Sequence, residues 1–183
     1  MPPSDTFRSL ASSPAATRTP PSVTTKSSPT CTSGGTPSDR LGRAIVLAIV
    51  DAGPLYAAAD LTDAYHAASL AVLERTDLDL AIPALVIAEV AYLIEQRRGP
   101  RDEAIFLRAL GQLGADVEAP TPSDLSRMAA LVEQYADLPL GATDASVIAL
   151  AERLNTDLIV TLDRRHFGIV RPRHCAILRL LPE

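Results

Sequence analysis

Four carboxylates stand where the surrounding sequence is apolar. Asp51 directly follows the run AIVLAIV (Ala44–Val50), and Asp163 directly follows LIVTL (Leu158–Leu162). Glu89 interrupts ALVIAEVAYLI, a helical stretch apolar on almost every side. Asp144 opens TDASVIALAERL, which continues as an apolar face. A charged side chain in such company is normally excluded unless it is paired or bound to a metal. If these four acids converge, they repel one another, and a divalent cation resolves the repulsion. Hard oxygen ligands suit Mg²⁺ or Mn²⁺. Such an ion can polarise a phosphodiester and activate a water against it, so the chemistry suggested is phosphodiester hydrolysis. Each acid also has a plainer reading. Asp51 fits a turn before Gly53-Pro54, and Asp163 fits a turn in Asp-Arg-Arg. Asp144 fits the acid-favouring first turn of a helix. Glu89 could be a lone solvent-facing helix residue, though its neighbours speak against that.

Other residue types narrow the chemistry. The only lysine is Lys26, far from the apolar body. That removes the usual P-loop and every Schiff-base mechanism from residues 44–183. Cys31 and Cys175 are too far apart and too few for a disulfide framework or a cysteine zinc site, and they fit a reducing cytoplasm. His166 and His174 lack paired ligands, and His66 reads as a packed or surface residue, so a histidine metal site is not expected. Asp137 and Asp157 precede apolar segments and read as loop or capping residues, while Asp60 and Asp63 read as helix starts. Arg97, Arg98 and Arg101 read as helix-end charges. Arg164 and Arg165 flank Asp163, where a guanidinium could grip phosphate with two prongs. Phe167 reads as a packing anchor.

The elements that must position these acids divide the chain in two. Residues 1–43 hold 7 Pro, 9 Ser and 8 Thr with sparse apolar residues. Such a segment cannot bury enough apolar surface to offset its ordering entropy, so a disordered extension is expected. Its Arg, Ser and Thr with few acids resemble a transit peptide weakly, and a misassigned start, with the native one near Arg43 to Val46, is the favoured reading. Residues 44–183 carry 12 arginines against 20 acids. A net-acidic body cannot coat itself with nucleic acid, so any such site must be local or must use metal ions. No apolar run approaches the length of a membrane span.

Within 44–183, short apolar runs alternate with helical patterns, which indicates a mostly parallel sheet of about five strands covered by helices. Strands are expected at 44–50, 78–82, 115–118, 158–162 and 176–180. Helices are expected at about 63–75, 84–98, 102–113, 122–136 and 143–154, the last capped by Thr143. If the strands ending at Asp51 and Asp163 are central and parallel, both acids emerge at one sheet edge, where open α/β sheets bind ligands.

The run YADLPLGATDASVIALAERLNTDLIVTLDRRHF (Tyr135–Phe167) resembles the C-terminal half of a PIN domain of the VapC toxin type. IVDAGPLYAAAD (Ile49–Asp60) resembles that family's opening strand and turn, and PALVIAEVAYLI (Pro83–Ile94) its second motif. The resemblance implies a PIN-like three-layer α/β/α fold and Mg²⁺- or Mn²⁺-dependent cleavage of RNA in the cytoplasm. It also implies a homodimer and inhibition by a small cognate antitoxin. Asp51, Glu89, Asp144 and Asp163 fall on the family's four acidic positions, the first three as direct or near-direct ligands. Many members carry Thr or Ser after the first acid, where this chain has Ala52, so a hydroxyl expected beside that acid is missing. Two rivals are a PIN fold that holds RNA or a partner without cutting, and a related metal-dependent DNA nuclease. The intact acidic set speaks against the first, and the small basic surface against the second.

Overall fold

A computed structural model describes residues 45–183. The expected extension, Cys31 and the start of the first apolar run lie outside the described residues. The elements run β1 (Val46–Val50), α1 (Ala52–Ala59), α2 (His66–Leu73), β2 (Leu78–Pro83), α3 (Ala84–Arg98) and α4 (Pro100–Leu110). They continue as β3 (Asp116–Glu118), α5 (Pro122–Gln134), α6 (Ala142–Leu154), β4 (Leu158–Val160), α7 (Arg164–Ile169) and β5 (Arg179–Leu181).

All strand pairs are parallel, in the order β3-β2-β1-β4-β5. The most apolar run supplies the central strand. Ala48, Ile49 and Val50 alternate in direction, yet each is fully buried. Both faces of β1 are therefore covered by helices, as expected for an α/β/α arrangement. β1 pairs with β2 on one side (Val46 opposite Leu78) and with β4 on the other (Ile49 opposite Ile159). Chain order reverses between β1 and β4, which makes their carboxyl ends the topological switch point of the sheet.

Two short helices depart from the sequence expectation. α1 occupies Ala52–Ala59, where Gly53-Pro54 reads as a turn. Pro54 sits in the first helical turn, whose amides have no intrahelical acceptor, so the ring interrupts no bond. Gly53 is favoured by a close approach: a Cβ there would lie 3.3 Å from the Leu162 Cβ, which would have to give by a few tenths of an ångström. β4 ends at Val160, two residues short of the expected 158–162, and α7 starts at Arg164, capped by Asp163. A third difference is the α6 cap, which is Gly141 rather than Thr143; the Thr143 carbonyl accepts from the Ser146 hydroxyl instead. α5 begins with a reciprocal capping box between Thr121 and Asp124. β5 lies a few residues later than the expected 176–180.

Candidate active site

Asp51 leaves the carboxyl end of β1 and is only 5% exposed. Its amide donates to the Val160 carbonyl at 2.9 Å, so the turn into α1 is pinned against β4. The Thr161 hydroxyl, equally buried, donates to Asp51 Oδ2 at 2.7 Å. The Thr161 oxygen in turn accepts from the Asp163 amide at 2.9 Å. One side chain thus ties together the acids that end the two central strands. Burial pushes the Asp51 carboxyl up to about 6; the Thr161 hydrogen bond opposes the rise, and the negative fields of Asp144 and Glu89 add to it.

Glu89 is half-buried in the second turn of α3, which starts at the carboxyl end of β2. The apolar sequence around it suggests a fully enclosed helix, but Ala88 and Tyr92 are exposed. α3 is therefore apolar all round without being covered all round. Asp144 stands in the first turn of α6, half-buried. Burial raises its carboxyl above the ordinary value, and the neighbouring His166 opposes that rise. His166 Nδ1 lies 2.9 Å from Asp144 Oδ2 and 3.0 Å from Asp163 Oδ2, so the imidazole bridges two acids. Asp163 Oδ1 accepts the amides of Arg165 and His166, each at 2.9 Å, and so caps α7.

The fold thus assembles all four acids at the carboxyl ends of β1, β2 and β4. Asp51 feels Glu89 and Asp144 directly, and Asp144 is joined to Asp163 through His166. No three of these side chains, among the described residues, already stand as a closed ligand set for an ion. The four carboxylates nonetheless fit a hard divalent cation: they offer oxygen donors, and among the described residues none of them is paired with an arginine. Exposure is graded across the group. Asp51 is sealed, the Asp144 side chain is 20% exposed and that of Asp163 is 37% exposed. The open side of the cluster therefore faces the start of α7.

The two arginines expected to grip substrate differ in circumstance. Arg164 donates to the Pro182 carbonyl, which ties it to the far end of the chain. Arg165 is exposed and makes no ion pair among the described residues. Three of the acids set aside in the sequence have structural duties, and Asp137 is exposed. Asp157 pairs with Arg179 at 2.6 Å, Asp60 with Arg98 at 3.1 Å, and Asp63 accepts the Tyr65 amide. His66 Nδ1 lies 3.0 Å from the Ala57 carbonyl, and Phe167 is buried.

Sequence reasoning does not single out Thr161 or His166. Thr161 sits inside a β-prone run, where threonine needs no special explanation. His166 carries a readable signal: it follows Asp163 by three residues, the spacing that brings side chains together in a helical turn. That turn is invisible as long as Asp163 reads as a simple strand-end turn.

Comparison with known proteins gives one consistent answer. Residues 48–171 match the PIN domain family. The chain is 33% identical over 124 residues to Ribonuclease VapC26 of Mycobacterium tuberculosis, an alignment spanning 68% of this chain and 92% of that protein. In structure it is similar to VapC20 of Mycobacterium tuberculosis, described as a sarcin-ricin loop cleaving toxin. The TM-score there is 0.60 at 16% identity, over 71% of this chain and 98% of that one. It is also similar to a chain of VapBC2 from Rickettsia felis, solved bound to a DNA fragment from its promoter. That TM-score is 0.56 at 15% identity, over 75% of this chain and all of that one. At such identities these two structures speak for the fold alone.

Proposed function

Because the chain belongs to the PIN-domain family, and within it to the VapC type, we propose that it is a metal-dependent endoribonuclease, the toxin of a toxin–antitoxin pair. The observation that carries this reading is the gathering of acids at the switch point of the sheet, where the buried Asp51 carboxyl lies in the negative fields of Asp144 and Glu89. In this reading Asp51, Glu89 and Asp144 hold Mg²⁺, with Mn²⁺ as a substitute, and Asp163 completes the acidic set. The ion, when bound, supplies charge neutralisation and Lewis-acid polarisation of the phosphodiester and of the water that attacks it.

The chain's own residues do the positioning. Thr161 fixes the Asp51 carboxylate in one orientation and supplies the hydroxyl that Ala52 lacks. His166 holds Asp144 and Asp163 at a set separation. Asp163 in turn anchors the first turn of α7, which carries Arg165 on the open side of the acids. A phosphate entering from that side is gripped by Arg165, which makes no ion pair among the described residues, with Arg164 beside it in sequence. Substrate access and charge compensation thus come from the same short helix.

Three partners belong to this reading: RNA as substrate, a small antitoxin, and a second copy of the chain. The antitoxin inhibits by placing a basic side chain among the carboxylates. The second copy covers apolar side chains left exposed on α3, β3 and α5, namely Tyr92, Val117, Leu125 and Val132. No helix of the described residues is long and apolar enough to cross a membrane, and the protein works in the cytoplasm in this reading.

The test is cleavage of a structured RNA panel by the full chain with Mg²⁺, with Mn²⁺ and with EDTA, beside Asp51→Asn and a matched DNA panel. Discrete metal-dependent cuts in RNA, absent from the variant, are expected. Cuts confined to DNA would replace the reading with a DNA nuclease. A folded wild type that binds Mg²⁺ and RNA but cuts nothing would replace it with a non-cutting module. Sedimentation of the wild type and of Leu125→Arg tests the second copy; a wild-type monomer would remove it.

A further inference from the structure

Arg97 and Arg98 end α3 side by side, yet only one is engaged with carboxylates. Arg98 is 3.1 Å from Asp60 and 2.8 Å from Asp102. Asp60 also accepts the amide and the hydroxyl of Thr62, so that carboxylate is fully occupied. Arg97 is exposed and has no carboxylate within ion-pair distance among the described residues. Its guanidinium carbon instead lies 5.1 Å from the ring centroid of Tyr56 on α1. An exposed arginine ordinarily samples many rotamers. Here the aromatic ring gives it a preferred place.

The location relates this pair to the acids. α1 and α3 both begin at the carboxyl edge of the sheet and descend together, with Asp51 beside Glu89 at the top and Tyr56 beside Arg97 below. Tyr56 follows Asp51 by five residues, about 7 Å along a helix axis, which is about two stacked nucleotide steps. The Tyr56 ring and its hydroxyl, to which Arg97 is hydrogen-bonded, engage part of the guanidinium and leave its remaining N–H groups open. Those groups match the two oxygens of a phosphate. An arginine held by an aromatic, without a carboxylate partner, beside an acidic cluster that repels phosphate elsewhere, is a local basic contact on an acidic body.

We propose that Tyr56 and Arg97 form a phosphate-binding subsite for single-stranded RNA, about two nucleotides from the acidic centre, with Arg97 gripping the phosphate and the Tyr56 ring positioning Arg97. The proposal rests on the ribonuclease reading and extends it. The substrate strand then runs from the acids down the seam between α1 and α3. It therefore contacts the protein on the side away from α7 as well as beside it. Affinity gains from strand length on that side, whereas the chemistry at the acids does not depend on the contact.

The experiment is fluorescence-anisotropy binding of a labelled 12-nucleotide single-stranded RNA to the full chain in EDTA, across a salt series. Wild type, Arg97→Ala, Tyr56→Leu, Tyr56→Phe and, as a charge control, Arg101→Ala are compared. Arg97→Ala is expected to bind roughly tenfold more weakly and to reduce the slope of log affinity against log salt by about 0.7, the loss of one single-strand phosphate contact. Tyr56→Leu is expected to lose about fivefold, and Tyr56→Phe, which keeps the ring but removes the hydroxyl that also holds Arg97, to lose less than Tyr56→Leu. Arg101→Ala, equally exposed, should leave affinity and slope near wild type. Wild-type affinity and slope in Arg97→Ala, with RNA still bound by the wild type, would overturn the subsite and leave the ribonuclease reading intact. An equal loss in Arg101→Ala would also overturn it, since the effect would then be general charge. A wild type that neither binds this RNA nor cuts the panel would bring down both.

Discussion

Thr161 shows how much a single hydroxyl decides at this site. It is the donor that stabilises the ionised form of a buried carboxylate and the acceptor that sets the start of α7. Thr161→Val keeps the shape and removes both bonds, leaving Asp51 without its side-chain donor. The expected result is a loss of about 1–3 kcal/mol in urea unfolding and at least a tenfold fall in RNA cleavage, with Thr161→Ser restoring both. Asp51 itself makes the opposite prediction for stability. Its carboxyl is raised from 3.8 to about 6, so the folded state holds this proton more tightly than the unfolded chain does. The corresponding stabilisation is complete below about pH 4 and is lost as pH rises through about 6. A rise of that size is worth about 3 kcal/mol at most. Asp51→Asn should therefore raise the melting temperature of the metal-free protein at pH 7.5 by several degrees. Near pH 4 it should change little. A variant no more stable than wild type at pH 7.5 would show that the carboxyl is not buried at a cost.

At the scale of elements, two of the acids follow the strands β1 and β4 and two stand on the helices α3 and α6, and those elements differ in how much they matter to the site. Gly53→Val, at the start of α1, would push on Leu162 and through it on Thr161 and Asp163. A loss of about 1–3 kcal/mol together with reduced cleavage is expected. Thr121→Ala, which removes the α5 capping box, should cost about 1 kcal/mol in thermal unfolding and leave cleavage per folded molecule unchanged, because α5 carries none of the acids. The same contrast explains what the sequence reveals. β1 and β4 are legible because strands buried on both faces must be continuously apolar, and α3, α5 and α6 because they are long and carry clear stop and start residues. α1 is hidden because Gly53-Pro54 serves a helix start as well as it serves a turn. α7 is hidden because six residues contain too little periodicity to read. The four acids stand out because charge against apolar sequence is conspicuous. Thr161 and His166 do not, because their roles arise only when β4 and α6 are brought beside β1, across 110 residues in one case and 22 in the other.

For the whole molecule, the proposed function makes metal a structural as well as a chemical component of the acidic site. A cation that binds the folded state alone stabilises it by mass action, about 2.7 kcal/mol at a hundredfold excess over its Kd. Added Mg²⁺ should therefore raise the melting temperature of the wild type in calorimetry at pH 7.5. The increment should shrink or vanish in Asp51→Asn, and an equal increment in both proteins would place the ion elsewhere. The parallel sheet adds a constraint of another kind. Because β1 is central, its two neighbours come from opposite halves of the domain, and the hydrogen bond from Thr161 to Asp51 joins the earliest strand to one of the latest. A chain still being synthesised consequently presents Asp51 and Glu89 without Thr161, Asp163 or His166. The acidic set is therefore complete only once the later half of the domain has folded back onto β1, the strand that was made first.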